Sequence, residues 1–241
     1  MTTLLALETA TAACSVAVVR DGIERHLFEL AERAHAERLL PMVGQAMAEA
    51  GVDFVRLDAI GVSIGPGSFT SLRIGLAAAR GLALAVDKPC FGITSLETIA
   101  DAACPAAQDR GCSHVLVALD SRRRDLFVQA FAADGPPLTT PSIIAIDGLV
   151  AYVNGLGGGR QGAVALAGDA AGAIAAPLGA AGVPHRVLTD CLYPTALSVA
   201  RLTLRRWRAG ERPQAPPRPL YLRAADTGPP IAPPPIVHPS G

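Results

Sequence analysis

Between Ala59 and Val86 the chain passes from an apolar run, through two glycines flanking a proline, into a long stretch almost free of polar side chains. The run Ala59-Ile60-Gly61-Val62-Ser63-Ile64 reads as a buried strand. Gly65-Pro66-Gly67 reads as a tight turn, with Pro66 fixing φ. Residues 71–86 read as a helix in which the only strongly polar side chains after Ser71 are Arg73 and Arg80. These two lie seven residues apart and share one stripe. A helix apolar on nearly every other side must be covered on more than one face. Its own sheet covers one; a second lobe of the chain or another protein must cover the rest. Strand, glycine turn and helix N-terminus together also form the arrangement that points backbone N–H groups at an anion. The alternative is a turn that only reverses the chain. The segment is not a P-loop, because no Gly-Lys-Ser/Thr follows, and Thr70 breaks a Gly-x-Gly-x-x-Gly pattern.

The neighbouring segments extend this frame. Residues 3–8 and 14–20 read as a strand pair, the second ending at the turn signal Asp21-Gly22, and 23–30 as a third strand. His35 to Ala50 carries apolar residues at 39, 40, 43, 46, 47 and 50, the spacing of one helical face. Lys88-Pro89 breaks the helix over 71–86, Cys90 to Ile93 reads as a short strand, and Thr94-Ser95-Leu96-Glu97 is a capping-box pattern opening a helix to about Ala103. A second lobe begins near His114, with strands over Val115–Leu119 and Leu126–Phe131. Residues 143–182 are rich in Ala and Gly and carry weak signals, among them a strand over Ala163–Ala167 and a helix over Ala171–Leu178. A further helix runs from about Thr195 to Arg208, with Pro194 at its start. Ten of the 20 prolines follow position 212. The expected organisation is an N-terminal lobe with partner-docking helices over 1–105 and a C-terminal lobe over 106–192. A helix and closing segment over 193–223 pack back on the lobes, and 224–241 form a disordered Pro-rich tail. Strand groups followed by helices, twice, indicate an α/β fold with mixed sheets.

Composition removes several function classes. The 241 residues carry 21 basic and 21 acidic side chains, so no excess of Lys and Arg drives free-standing affinity for nucleic acid. Aromatic residues make up 4%, which leaves little surface for stacking bases. Arg201, Arg205 and Arg208 do form a basic stripe, and direct tRNA binding through it is one competing reading. The five cysteines (14, 90, 104, 112, 191) form no Cys-x-x-Cys and read as small buried hydrophobes of a reducing compartment. Glu8 interrupts the short apolar start, so no signal peptide is expected. The stretch around Ile74 to Val86, split by Arg80, is too short for a membrane span. A cytoplasmic protein without membrane association is expected. The histidines (26, 35, 114, 185, 238) include no pair at i, i+3 or i, i+4, the helical metal-ligand spacings. Ser68 lacks the Gly-x-Ser-x-Gly context of a serine nucleophile.

The string Gly65-Pro66-Gly67-Ser68-Phe69-Thr70-Ser71-Leu72-Arg73-Ile74-Gly75 resembles, nearly letter for letter, the signature of the TsaB family of tRNA threonylcarbamoyladenosine biosynthesis. The opening Leu5-Ala6-Leu7-Glu8-Thr9-Ala10-Thr11-Ala12-Ala13-Cys14-Ser15-Val16-Ala17 is similar to that family's N-terminus. So are His35-Ala36-Glu37-Arg38-Leu39-Leu40-Pro41-Met42-Val43 and, near the other end, Pro219-Leu220-Tyr221-Leu222-Arg223. The resemblance implies the duplicated two-lobed fold of actin, hexokinase and Hsp70 ATPase domains. In that superfold, catalysts hold nucleotide phosphates between two glycine-bearing hairpin turns. Here the corresponding stretches, Thr9 to Ala12 and Asp120-Ser121-Arg122-Arg123-Arg124, contain no glycine, and a Cβ impedes close phosphate approach. Glu8 stands where the family usually has Asp, and it reads as an acceptor of local hydrogen bonds rather than a magnesium ligand. The His-x-x-x-His iron motif of the related catalytic subunit TsaD is missing.

The resemblance therefore implies a non-catalytic scaffold with no catalytic residue, metal or cofactor of its own, a nucleotide being possible only at the interface with TsaD. Its expected partners are TsaD, as a heterodimer, and the ATPase TsaE, which joins that complex. In isolation a homodimer is possible, and tRNA is met only through the complex, in which TsaD passes threonylcarbamoyl to adenosine 37. The docking face is expected on two helices: His35, Leu39, Met42, Val43 and Met47 on the first, and Gly67, Ser68, Phe69, Leu72, Arg73, Gly75, Leu76, Ala79 and Arg80 on the second. Gly75 and Ala79 would allow close approach, with Arg73 and Arg80 bordering the contact. The alternative from another class is a small ATPase or kinase of the same superfold acting alone.

Overall fold

In the computed structural model the described residues are 2–20, 23–31, 34–156 and 162–223. The expected turn at Asp21-Gly22 and the expected tail over 224–241 lie outside them. The first apolar segments form β1 (Thr3–Glu8), β2 (Ala13–Arg20), β3 (Ile23–Leu30), β4 (Ala59–Ser63) and β5 (Cys90–Ile93). They make a five-stranded sheet in the order β3-β2-β1-β4-β5. β2 is antiparallel to both β1 and β3, whereas β1, β4 and β5 run parallel. β1 and β4 are the central strands and are buried along their whole length, as their unbroken apolar runs require.

The second half repeats this plan. β6 (Cys112–Asp120), β7 (Asp125–Ala132), β8 (Ser142–Ala145), β9 (Ala163–Ala167) and β10 (His185–Val187) form a sheet in the order β10-β9-β6-β7-β8. The pairing senses match those of the first sheet. The chain is thus a structural duplication, with two mixed sheets flanked by helices, the two-lobed architecture that the resemblance implied. The repeat is invisible as letters because only the alternation of elements is kept.

Among the described residues six α-helices cover the sheets: α1 (His35–Ala50), α2 (Phe69–Val86), α3 (Ser95–Asp109), α4 (Leu149–Gly155), α5 (Ala171–Ala180) and α6 (Ala196–Arg208). α1 and α2 bury Leu39, Met42, Val43, Leu72 and Leu76 with Leu5, Leu7, Val16 and Val62 of the first sheet. α4 and α5 cover one face of the second sheet through Leu149, Val153, Ile174 and Leu178. The remaining faces are covered crosswise. α3 follows β5 yet packs Leu96, Ile99 and Ala103 against Val115, Val117 and Ala165 of the second sheet. α6 follows β10 and packs Val199 and Ala200 against Ala6 and Ala17 of the first. Each lobe is completed by the last helix of the other.

Several expected boundaries move. α2 starts at Phe69 rather than Ser71, because Ser68 is the cap and its Oγ accepts from the Ser71 N–H at 3.4 Å. The capping box at Thr94 and Glu97 is present. Its helix does not stop near Ala103, however: Pro105 lies inside α3, which continues to Asp109. The expected lobe boundary at 105/106 therefore falls within one continuous helix. Pro194 precedes the Thr195 cap of α6 instead of opening the helix. β8, α4 and β10 fall in or beside the stretch that carried weak signals. At 18 residues, α2 is also long and apolar enough to cross a bilayer, so the length argument fails for it. It instead buries Leu72, Leu76, Ala79 and Ala83 in the core of the first lobe.

α6 approaches the first sheet so closely that a Cβ on Gly61 would lie 2.3 Å from Thr203 Oγ1 and 3.1 Å from Val199 Cγ1. Overpacking at such a contact costs about 2 kcal/mol. Gly61→Ala should lower stability to urea by about that amount. Added to a Thr203→Ala background, the same change should cost much less, because the obstructing hydroxyl is gone. Equal penalties in the two backgrounds would show that α6 does not set this spacing.

Candidate functional site

The two lobes face each other across a cleft of about 690 Å³. Ala10, Thr11 and Ala12 of the β1–β2 hairpin line one wall, with Gly67, Ser68 and Phe69 beside them. The β6–β7 hairpin supplies Ser121, Arg122 and Arg123 opposite, over Asp169. The glycines of this cleft stand behind the hairpins rather than in them. A Cβ on Gly67 would lie 2.1 Å from the Ala10 carbonyl oxygen, and one on Gly168, at φ +97°, 2.0 Å from that of Ala118. The Ser68 N–H donates to the Ala10 carbonyl at 2.7 Å. The turn after β4 is thus docked, backbone to backbone, on the hairpin that phosphate would approach in a catalytic relative of this fold. The sequence signals Gly65 and Gly67 are real, but their contact is internal. Gly168 is the equivalent in the second lobe and was overlooked in the Ala/Gly-rich segment, where one glycine among many carries no signal.

Glu8 is fully buried beneath this turn. Its Oε1 accepts from the Ala10 N–H at 2.5 Å, while Oε2 has no partner among the described residues. Burial pushes its carboxyl up to about 7, opposed by hydrogen bonds from Ala10, Ser63 and Thr9. Local hydrogen bonding is the expected role, and the neighbouring Ala10 backbone N–H supplies it. Asp169 is also raised, first by burial and further by nearby Asp120, although it accepts from the Asp120 N–H at 2.8 Å. No group of three or more His, Cys, Asp or Glu side chains that could hold a metal ion occurs among the described residues. Burial raises the Cys14, Cys90 and Cys104 thiols to about 11, 12 and 11, which keeps them protonated and unreactive.

The expected docking residues separate into two groups. His35, Leu39, Met42, Val43, Met47, Leu72, Leu76 and Ala79 are buried on the sheet-facing sides of α1 and α2. His35 Nε2 lies 3.2 Å from the Ala13 carbonyl. The helical periodicity located the core face, and these side chains belong to the chain's own core rather than to a free surface. Gly75 likewise admits the chain's own Thr9, whose Oγ1 would lie 2.4 Å from a Cβ there. Arg80 does not border an open contact: its Nε donates to the Pro217 carbonyl at 3.0 Å. Arg73 lies over the Phe69 ring at 3.6 Å, and its Nε donates to Tyr221 Oη at 3.0 Å. The arginine stripe therefore holds the closing segment, which the Leu220 N–H joins to the Ile64 carbonyl at 2.7 Å. Arg223 at its end pairs with Asp125 of the opposite lobe. Ser68 and Phe69 line the cleft and stay exposed, and Arg73 is exposed beside them.

The outward faces of the two helices carry other residues. On α1 they include Leu40, Pro41, Gly44 and Ala48, flanked by the exposed Glu37, Arg38, Gln45 and Glu49; on α2 they include Ala77, Gly81, Leu84 and Ala85. Leu84 is 85% exposed and Leu40 56%. A Cβ on Gly44 or Gly81 would meet nothing within 4 Å. Glycine inside a helix costs about 1 kcal/mol relative to alanine, and nothing among the described residues offsets that here. An exposed mid-helix glycine is the sequence signal that could have located this surface. The arginine stripe of α6 is largely neutralised, since Arg201 pairs with Glu24 at 3.1 Å and Arg205 with Asp101 at 2.5 Å. That weakens the competing reading of direct tRNA binding.

Comparison with known proteins places this geometry in context. Residues 28–152 match the family model described as TsaD, tRNA N6-adenosine threonylcarbamoyltransferase. A TsaB protein of Haemophilus influenzae is 41% identical over 125 residues, 52% of either chain. A TsaB protein of Escherichia coli is 39% identical over 131 residues, 54% of this chain and 55% of its own. The chain thus spans about half the length of the curated relatives it matches. Among solved structures, a Pseudomonas aeruginosa protein described as similar to peptidase YEAZ superposes with a TM-score of 0.74 at 29% identity, covering 92% of this chain and all of that one.

Glu8 gives a pH dependence. Its folded pKa of about 7 lies above the ordinary 4.5, so folding favours the neutral form. The associated stability is fully present below pH 4.5 and is lost as pH rises to about 7. Relative to Glu8→Gln, the wild type should lose on the order of 3 kcal/mol between pH 4.5 and 8, read from urea unfolding of both proteins. A difference that does not change with pH would place Glu8 in a solvated setting.

Proposed function

The chain belongs to the TsaD-type tRNA N6-adenosine threonylcarbamoyltransferase family, as a TsaB-like member, and from that premise we propose that it is a non-catalytic subunit in the formation of threonylcarbamoyladenosine in tRNA. It stabilises and orients a TsaD-type transferase, works in the cytoplasm, and meets tRNA only through that enzyme. A nucleotide takes part only at the interface between the two proteins, and a TsaE-type ATPase joins the assembled pair.

The observation that carries this reading is the outer face of α1 and α2. Two neighbouring helices present Leu40, Gly44 and Ala48 beside Ala77, Gly81 and Leu84. Small residues let a second helix pair approach closely, and exposed leucines supply apolar area, which together make half of a four-helix contact. Gly44 and Gly81, which weaken the isolated helices, are then explained by the partner. The hairpin supports the non-catalytic half of the reading, since it carries no glycine and its Ala10 N–H, a donor that an anion would need, is already given to Glu8 Oε1. No observation favours the small ATPase or kinase acting alone.

Because open space surrounds both glycines, Gly44→Leu and Gly81→Leu should leave the fold intact and raise its melting temperature slightly. Each should weaken calorimetric binding to a TsaD-type transferase from the same source by tenfold or more, roughly 1.4 kcal/mol. Unchanged affinity in both variants would move the docking face elsewhere, and loss of fold would show that these positions are covered within the chain.

A further inference from the structure

We propose that residues 217–223 form a strap that latches the interlobe cleft. The strap is fixed to the first lobe at one end and, through Arg223 at the other, holds the second-lobe hairpin of residues 121–124 over the cleft. Its release opens the cleft at this rim, without rotation of the lobes. The latch operates in the isolated chain and needs no transferase.

The lobes cannot turn about each other at little cost. α3 and α6 pack crosswise, so rotation would uncover Val115 and Val117 of one sheet and Ala6 and Ala17 of the other. Movement at the cleft is therefore left to its rim. The first-lobe end of the strap is firmly held. Arg80 Nε donates to the Pro217 carbonyl at 3.0 Å, and Pro217 packs so close to β5 that a Cβ on Gly92 would lie 2.9 Å from Pro217 Cβ. The Leu220 N–H donates to the Ile64 carbonyl at 2.7 Å. Tyr221 is held by Arg73 and by the Phe69 ring, whose centroid lies 5.4 Å away.

The second-lobe end is held differently. Among the described residues its bond to that lobe is the ion pair from Arg223 to Asp125 Oδ2, whose side chains remain 29% and 23% exposed. A partly exposed ion pair contributes little energy, so this end gives way first. Asp125 also closes the hairpin: the Ser121 hydroxyl lies 2.7 Å from its carbonyl oxygen and 2.5 Å from its Oδ1. One residue thus joins strap and hairpin. The hairpin tip offers no apolar side chain to hold it, since residues 122–124 are exposed arginines. Arg122 sits at φ +60°, a conformation that costs a non-glycine residue free energy and persists only when its surroundings fix it. Here the Arg122 N–H donates to Asp120 Oδ1 at 2.7 Å, and the Asp120 N–H donates to Asp169 at 2.8 Å, which makes Asp120 the hinge. Strap residues 220–223 and hairpin residues 121–123 line the same cleft, so parting them widens its mouth.

Amide hydrogen exchange of the full chain tests the latch through a double-mutant cycle. Arg223→Ala should speed exchange across residues 121–126 by about fivefold, the loss of one partly exposed ion pair, while the Leu220 amide stays protected. Arg80→Ala, in the first lobe, should loosen the strap and speed exchange in the same hairpin, although among the described residues no bond joins Arg80 to it. In the Arg223→Ala background, Arg80→Ala should leave the hairpin unchanged, because the strap no longer holds it. Arg223→Lys should keep most of the protection, since the charge remains. Circular dichroism controls for folding, and should Arg223→Ala fail that control, Asp125→Asn takes its place in the cycle. A hairpin unaffected by loss of the Arg223–Asp125 pair would overturn the proposal. So would an Arg80→Ala effect on the hairpin that is absent from the wild-type background, or equal in both backgrounds.

Discussion

The crosswise exchange of closing helices is the constraint on which the rest of this structure depends. Without α6, the face of β1 and β2 that carries Ala6 and Ala17 would lie open to water, and without α3 the second sheet would lose its cover over Val115 and Val117. Neither lobe has a complete core of its own. The contact works through small residues: Gly61 under Thr203 and Val199, and alanines at 6, 17, 196 and 200. Small side chains bring helix and sheet close and leave little room for sliding. Ion pairs from Arg205 to Asp101 and from Arg206 to Glu97 tie the two exchanged helices to each other at their rims. Such partly exposed pairs add little energy but fix the crossing.

That rigid frame decides what the interlobe cleft can do. In a fold whose catalysts grip phosphate between hairpins, this chain spends the close approach on itself. Gly67 and Gly168 admit the carbonyls of Ala10 and Ala118, and Gly75 admits Thr9. The closing segment then ties both lobes, from Arg80 and Ile64 on one side to Asp125 on the other. With the sheet-facing sides of α1 and α2 committed to the core, the proposed docking role rests on their outer faces.

The first lobe was legible in the sequence because its strands and helices have clean periods. The bounds of β1, β3, α1 and β5 agree with the expected ones, and the capping box at Thr94 formed as read. In the segment from 143 to 182 the strand over Ala163–Ala167 formed as read and the helix from Ala171 runs on to Ala180, whereas β8 and α4, at 4 and 7 residues, are too short to register as a period. The end of α3 was misplaced because Pro105 reads as a stop, whereas packing of Ala103 and Ala107 on the second sheet carries the helix past it. Of the docking residues that the resemblance implied, Leu39 and Val43 lie on the same apolar period that finds a core, and both, with Leu76, are internal. The proposed partner-facing surface differs in kind: it shows as glycine and alanine where nothing among the described residues requires them, and Gly44 and Gly81 look unremarkable until the space around them is known.

Hydrogen exchange of the full chain, alone and with a TsaD-type transferase, tests the central claim most directly. The account predicts added protection along α1 and α2, centred on the turns around Gly44 and Gly81, and no change in the hairpins at 9–12 and 121–124. Protection confined to those hairpins and the cleft between the lobes, with α1 and α2 unaltered, would contradict it.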